Sequence, residues 1–247
     1  MSGHSHWATI KHKKASTDAK KGKLFSKLAK DIILAAQVGG SDLDANYGLR
    51  AAVDAAKAAN VPRENIDRAI KRGTGELPGV HYESCTYEGY GPNGIAILVE
   101  VLTDSRNRTA SELRKIFSLR SGKLEGSVAW MFEAKGLITV PLDAVGEDEL
   151  MGIVLDAGAE DMTRQETSYE ITTTPQDFHK VRQAIADRGL KIEVAELTRL
   201  PQALIQLEGD ASRKALALLE EIQDHDDVKN VYTNFDVPAE MAAEVKE

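Results

Sequence analysis

Eight lysines and a single acid, Asp18, fall within residues 1–30, giving that segment a net charge of +7 while residues 31–247 carry −15. Trp7 precedes Lys11, His12, Lys13 and Lys14, and Lys20, Lys21, Lys23, Lys27 and Lys30 follow. Lysines at this density make sequence-independent, salt-sensitive contacts with phosphates, and a tryptophan offers a face on which an unpaired base can stack. The chemistry this segment suits is polyanion binding; the competing reading is a solvated tail. A second basic group, Arg63, Arg68, Lys71 and Arg72, is interleaved with Glu64 and Asp67, so an ordinary polar helix face fits it equally well. A third lies in Asp104-Ser105-Arg106-Asn107-Arg108-Thr109, where the chain leaves a strand and enters a helix. There Arg106 and Arg108 could grip phosphate beside helix N-terminal amides, with Arg114, Lys115, Arg120 and Lys123 extending the positive surface. The bland alternative is Asp104 capping the turn and pairing with an arginine.

Residues that could support catalysis do not converge. Gly89–Gly94 is rich in glycine but lacks the Lys-Ser/Thr ending of a phosphate loop and precedes a strand, so it reads as a turn. Cys85 has only His81 nearby and reads as an inert thiol. Asp224, His225, Asp226 and Asp227 lack the glycine and terminal glutamate of a calcium loop, and a solvated helix end is the expectation there. Ser2-Gly3-His4 would suit square-planar copper or nickel after loss of Met1, but such termini arise by chance. No catalytic residue, metal or cofactor is expected.

The elements that must position these groups follow from period and punctuation. With 42% hydrophobic and 28% charged residues, the composition is that of an ordinary soluble globular chain. One cysteine excludes an internal disulfide framework, and no apolar run approaches the roughly 20 residues needed to span a bilayer. The basic N-terminus has no secretory apolar core and, being free of arginine, is read as part of a mature cytoplasmic protein. Leu24, Leu28 and Ile32 form one helical stripe, with Lys20, Lys23, Lys27 and Lys30 on a different face. Gly39-Gly40 ends this helix; a second spans about 44–59, and Pro62 opens a third that closes at Gly73.

Beyond Pro78 the period changes. Residues 95–103, IAILVEVLT, predict a strand, 109–119 a helix and 127–132 a strand. Near the C-terminus, 203–207, 212–223 and 228–235 repeat the strand-helix-strand order. Between the two, residues 133–200 contain a strand at 137–140, a helix at 147–157, two short strands within 161–174, a helix at 175–188 and a strand at 191–197. The expected fold class is α+β, with an N-terminal three-helix domain and two β-α-β-β-α-β (ferredoxin-like) domains, one inserted into the other. The expected limits are 1–79 for the basic helical domain, 80–132 with 201–247 for the discontinuous domain, and 133–200 for the acidic insert.

The segments GHSHWATIKHKKASTDAKKGKLFSKLAKDI, AKAANVPRENIDRAIKRGTG, YEGYGPNGIAILVEVLTDSRNRT, GSVAWMF, DAGAED and DDVKNVYTNF resemble, in order and over essentially the whole chain, the YebC family. The mitochondrial branch of that family includes the translational activator of cytochrome c oxidase. The resemblance implies an N-terminal helical domain and two α+β domains. Its bacterial members are described either as DNA-binding transcriptional regulators or as ribosome-associated factors that help synthesis through proline-rich stretches. One departure is the segment from Arg120 to Val128, shorter and poorer in glycine than the family's GGNLGxxGSV loop.

Residues and resemblance together lead to the expectation of a non-enzymatic translation factor that engages ribosomal RNA. Its nucleic-acid contacts would be Trp7, Lys11, His12, Lys13, Lys14, Lys20, Lys21, Lys23, Lys27, Arg68, Lys71, Arg72, Arg106 and Arg108. A DNA-binding transcriptional regulator is the alternative, and a scaffold that meets a protein partner through its acidic domains is a second. No membrane contact is expected.

Overall fold

The computed structural model describes residues 18–237, with side chains described from residue 21 onward. Three helices come first: α1 (Asp18–Gly39), α2 (Tyr47–Ala58) and α3 (Arg63–Gly73). Next come β1 (Glu83–Tyr90), β2 (Ala96–Thr103), α4 (Arg106–Leu119), β3 (Phe132–Pro141), α5 (Glu147–Asp156), β4 (Ala159–Arg164), β5 (Ser168–Thr173), α6 (Phe178–Asp187) and β6 (Val194–Pro201). The chain finishes with β7 (Ile205–Gln206), α7 (Gly209–Gln223), β8 (Val228–Thr233) and β9 (Phe235–Asp236). Among the described residues no helix is long and apolar enough to cross a membrane.

Two compact units divide these elements. One comprises the described residues up to Gly126 together with Arg213–Val231. Its helices bury Ile32, Ile33, Ala36, Leu49, Val53 and Ile66 together with Val61 of the α2–α3 connection, with Phe25 and Leu28 packed against them. The α1 stripe read from sequence therefore forms the seam of a three-helix cluster. Gly73 ends α3 where a Cβ would stand 2.6 Å from both Ala36 Cβ and Ile33 O of α1, so the two helices approach too closely for any side chain there. Antiparallel pairing of β1 and β2 runs from Glu83↔Thr103 to Tyr90↔Ala96, and the sheet order is β1-β2-β8. Leu113 and Phe117 of α4, and Leu218 and Ile222 of α7, are fully buried.

The departing loop is closed by backbone. Lys123 N–H donates to Tyr90 O at 2.7 Å, and Tyr90 N–H returns a bond to Lys123 O at 2.9 Å. Gly122 faces Tyr90 O so closely that a Cβ would lie 2.9 Å from it, and Gly126 has φ +122°. Although glycine-poor, the loop keeps glycine at the two positions where contact or φ requires it.

In the other unit the order β3-α5-β4-β5-α6-β6 makes a four-stranded antiparallel sheet, β4-β5-β3-β6, the β-α-β-β-α-β arrangement expected. Its core gathers Ile138, Val140, Leu150, Val154, Ile171, Phe178, Val181 and Ile185. At Gly136 a Cβ would meet Thr173 Oγ1 and Phe178, which lets α6 press onto the sheet. A short parallel pair, β7 with β9, joins Ile205 to Phe235.

The fold is α+β, and several elements differ from expectation. The strand predicted at 127–132 is a 3-10 turn, Ala129–Met131, leading into β3. Trp130 donates Nε1–H to Ser127 O at 3.1 Å, closing that turn, and the residue is 67% exposed. Strand β1 is not predicted from the sequence. Helix α4 begins three residues earlier than predicted, and the strand expected at 203–207 shrinks to two residues. With β1 gained, 127–132 lost and the 203–207 strand paired with β9 instead, the sheet of β1, β2 and β8 has three strands rather than four.

Candidate nucleic-acid interface

Lys23, Lys27 and Lys30 recur at i, i+4 and i+7, placing three ammonium groups on one face of α1. That face meets the C-terminal end of α7. Lys23 Nζ donates to Asp224 O at 3.0 Å, Lys27 Nζ to Gln223 O at 2.6 Å and Lys30 Nζ to Asp226 O at 3.1 Å. A helix end leaves its last carbonyls without intrahelical partners and carries a partial negative charge, so three lysines are a fitting cap. Lys229 adds a return contact, its Nζ donating to Asp31 Oδ1 at 2.6 Å.

Asp227 lies at the centre of this contact, its side chain only 5% exposed. Its Oδ1 accepts from Lys30 Nζ at 2.6 Å. Its Oδ2 faces Arg108 Nη2 at 2.5 Å, Thr109 Oγ1 at 2.7 Å and Thr103 Oγ1 at 3.2 Å. Burial alone would raise the carboxyl's pKa; the hydrogen bonds from Lys30, Thr109 and Arg108 and the Lys30 charge outweigh it and hold the group well below the usual carboxylate range. The expectation of a solvated helix end over 224–227 is therefore corrected at Asp227, which is buried and bonded, while Asp224 and Asp226 remain exposed.

Arg106 and Arg108 stand in the first turn of α4, not in a loop before it. Cations there oppose the helix dipole, and carboxylates offset them. Arg108 also reaches Asp104 at 3.0 Å and Glu112 at 3.7 Å, and Arg106 lies 4.0 Å from Glu83. The space in which Arg108 could hold a phosphate thus contains the Asp227 carboxylate. Glu112, His225 and Asp227 bring ligand atoms within 4.8 Å of one another, but those atoms are already engaged. His225 Nδ1 accepts the Asp227 N–H at 3.1 Å, and its Nε2 lies 3.0 Å from Glu112. Beside the cluster is an open cavity of about 740 Å³ whose walls include Lys23, Tyr82, Lys115, Leu119 and Asp224.

The α3 cations are placed differently. Arg68, Lys71 and Arg72 are all exposed, and none of the three forms an ion pair among the described residues. Arg63 pairs with Asp67 at 3.8 Å on the same helix. Lys21 is exposed and has interactions within the fold. Trp7, Lys11, His12, Lys13 and Lys14 lie outside the described residues, as does the side chain of Lys20. The structure thus brings Lys23, Lys27, Lys30 and Arg108 together around the end of α7 and sets Arg68, Lys71 and Arg72 apart on α3. Sequence reasoning missed Asp227 as the hub. A buried acid reads like its exposed neighbours when only its type is visible.

Residues 5–76 match the family model of the TACO1/YebC protein N-terminal domain, and residues 82–235 match that of the TACO1/YebC second and third domain. The chain belongs to the TACO1/YebC family. Family relatives include proteins named "probable transcriptional regulatory protein" from Dictyoglomus turgidum, 52% identical over 98% of both chains, and Syntrophobacter fumaroxidans, 53% identical over 98% of both. The crystal structure of a conserved hypothetical protein from Aquifex aeolicus superposes with a TM-score of 0.79 at 42% identity, covering 91% of this chain and 93% of that one. For a TACO1/YebC protein, then, the relatives' names are regulatory.

Proposed function

We propose that this chain is a non-enzymatic translation factor that binds the ribosome through RNA phosphates and assists synthesis of proline-rich stretches. The observation that carries the reading is the division of its cations. Lys23, Lys27, Lys30 and Arg108 are turned onto internal carbonyls and carboxylates, whereas Arg68, Lys71 and Arg72 form one uniformly positive turn at the end of α3. Glu64 and Asp67 occupy the earlier turns of the same helix. Such a helix end suits sequence-independent contact with phosphates and offers no set of side chains placed to read base edges. Trp7, Lys11, His12, Lys13, Lys14 and Lys20 extend the proposed contact, and Lys21, Lys23, Lys27, Arg106 and Arg108 join it where they leave their internal partners.

The test is co-sedimentation with purified ribosomes. Arg68→Glu, Lys71→Glu and Arg72→Glu combined should weaken association at least about tenfold, since each lost phosphate contact removes a share of the electrostatic affinity. Undiminished association would remove α3 from the interface. Added to a translation extract, the protein should raise full-length yield from a message with consecutive proline codons and leave a proline-free control unchanged. A second reading, DNA-binding regulation in the cytoplasm, is favoured by the names of the relatives. A sequence-specific gel shift that survives competitor DNA at physiological salt would favour it over the first.

A further inference from the structure

Charge, and not a shared core, joins the three-helix cluster to the sheet and helices of its unit. The cluster's buried residues come from α1, α2, α3 and the α2–α3 connection, and the groups packed against them add only Tyr82 from beyond these elements. What crosses to the end of α7 is polar. Lys23, Lys27 and Lys30 donate to the carbonyls of Asp224, Gln223 and Asp226, Lys30 also meets the Asp227 carboxylate, and Lys229 returns to Asp31. The attachment is graded along α1: the Lys23 side chain is 53% exposed and that of Lys30 only 16%. Covalently, the described chain crosses once, through 74–82. Leu77 N–H ties the start of this crossing to Lys71 O at 3.1 Å. Pro78, Gly79, Val80 and His81 are exposed, and their link to α1 is Gln37 Nε2, 3.5 Å from Val80 O and 3.3 Å from His81 Nδ1. Polar contacts of this kind permit relative motion of the parts they join.

We infer that the three-helix cluster is a hinged module, latched on the end of α7 by its own lysines and opened by an RNA that takes them. A phosphate can replace each carbonyl, because an ammonium bonds an ionised acceptor more strongly than a neutral one. Glu112, Glu221, Asp224 and Asp226 line the same open cavity as Lys23 and Lys30, so a phosphate that reaches these lysines in the closed state meets like charge. Opening carries Lys23, Lys27 and Lys30 away from those acids on one face of α1. The state competent for RNA is then a fraction of the whole, and the apparent affinity is reduced by that fraction. A latch has a consequence that mere capping of a helix end lacks: removing a cation from it strengthens RNA binding.

The latch rests on the RNA-binding reading and adds its regulation. The experiment uses the full chain with Cys85→Ser and fluorescent dyes on Ala51→Cys of α2 and Ser118→Cys of α4, both exposed positions. Single-molecule energy transfer is measured for the protein alone and with poly(U) RNA. The expected result is one population alone and a second, of lower transfer, that grows as RNA is added. Lys229→Ala, which breaks the half-exposed pair with Asp31, should populate the second state without RNA. It should also tighten poly(U) binding about threefold although a positive charge is lost. Lys30→Met should act in the same direction and more strongly, with an unchanged circular dichroism spectrum. No response of the wild type to poly(U), or weaker poly(U) binding by Lys229→Ala, overturns the latch. Ribosome co-sedimentation of the unlabelled chain is scored separately: its failure overturns the ribosome reading and leaves poly(U) to decide the latch. Co-sedimentation with an unchanged transfer distribution on the ribosome overturns the latch alone.

Discussion

At the scale of single residues, Asp227 is the group on which most depends. It is the meeting point of Lys30 from α1, Arg108 and Thr109 from α4, and Thr103 from β2. Removing its charge leaves two cations facing one another without their acceptor, a loss typically of about 3 kcal/mol. Asp227→Asn should therefore lower the urea midpoint of unfolding at pH 7. Because the folded-state pKa is lowered, the carboxylate contributes fully above the unfolded value of about 4, and the contribution fades as pH falls through the lower folded value. The gap between wild type and Asp227→Asn should accordingly be constant from pH 7 to 5 and narrow below about pH 4. A gap that widened in acid would show that the carboxyl is not held ionised.

At the scale of elements, close approach decides the effect of otherwise conservative changes. Alanine is favoured over glycine within helices by about 1 kcal/mol. A Cβ added to Gly152, inside α5, would meet nothing within 4 Å, so Gly152→Ala should raise the melting temperature by a few degrees. Gly73→Ala should lower it instead, because its methyl would stand 2.6 Å from Ala36 and from Ile33 O. Thermal unfolding of both variants checks the pair. The helices themselves were legible because Leu24, Leu28 and Ile32, or Ile66 and Ile70, repeat at helical spacing between glycine and proline stops. Strand β1 was not: Glu83–Tyr90 is only partly buried and polar at most positions, so its pairing with β2 rather than its own pattern makes it a strand. Likewise the lysine face of α1 was legible as a face, but its partners are carbonyls about 200 residues away, and backbone carbonyls leave no mark in a sequence.

For the molecule as a whole, charge sets the terms of association. A chain of net charge −8 is repelled by nucleic acid at long range, so binding must come from local cations brought close. Ribosome association should then weaken steeply with salt, by at least about tenfold between 50 and 200 mM. The triple α3 charge reversal should flatten that slope as well as lower the affinity. A salt-independent association would point to apolar docking in place of phosphate contact.

The partners of the α1 lysines also impose an order of events on biosynthesis. Lys23, Lys27 and Lys30 wait for carbonyls 196 to 201 residues downstream. At 5–20 residues per second, roughly ten to forty seconds separate their emergence from that of the α7 end. Throughout that interval the nascent chain carries a lysine stripe whose acceptors at the α7 end are not yet made, beside the RNA of the ribosome making it. Helix α1, the first of the described helices, is therefore among the last to have its charges settled, and the newborn chain is more cationic in behaviour than the finished one.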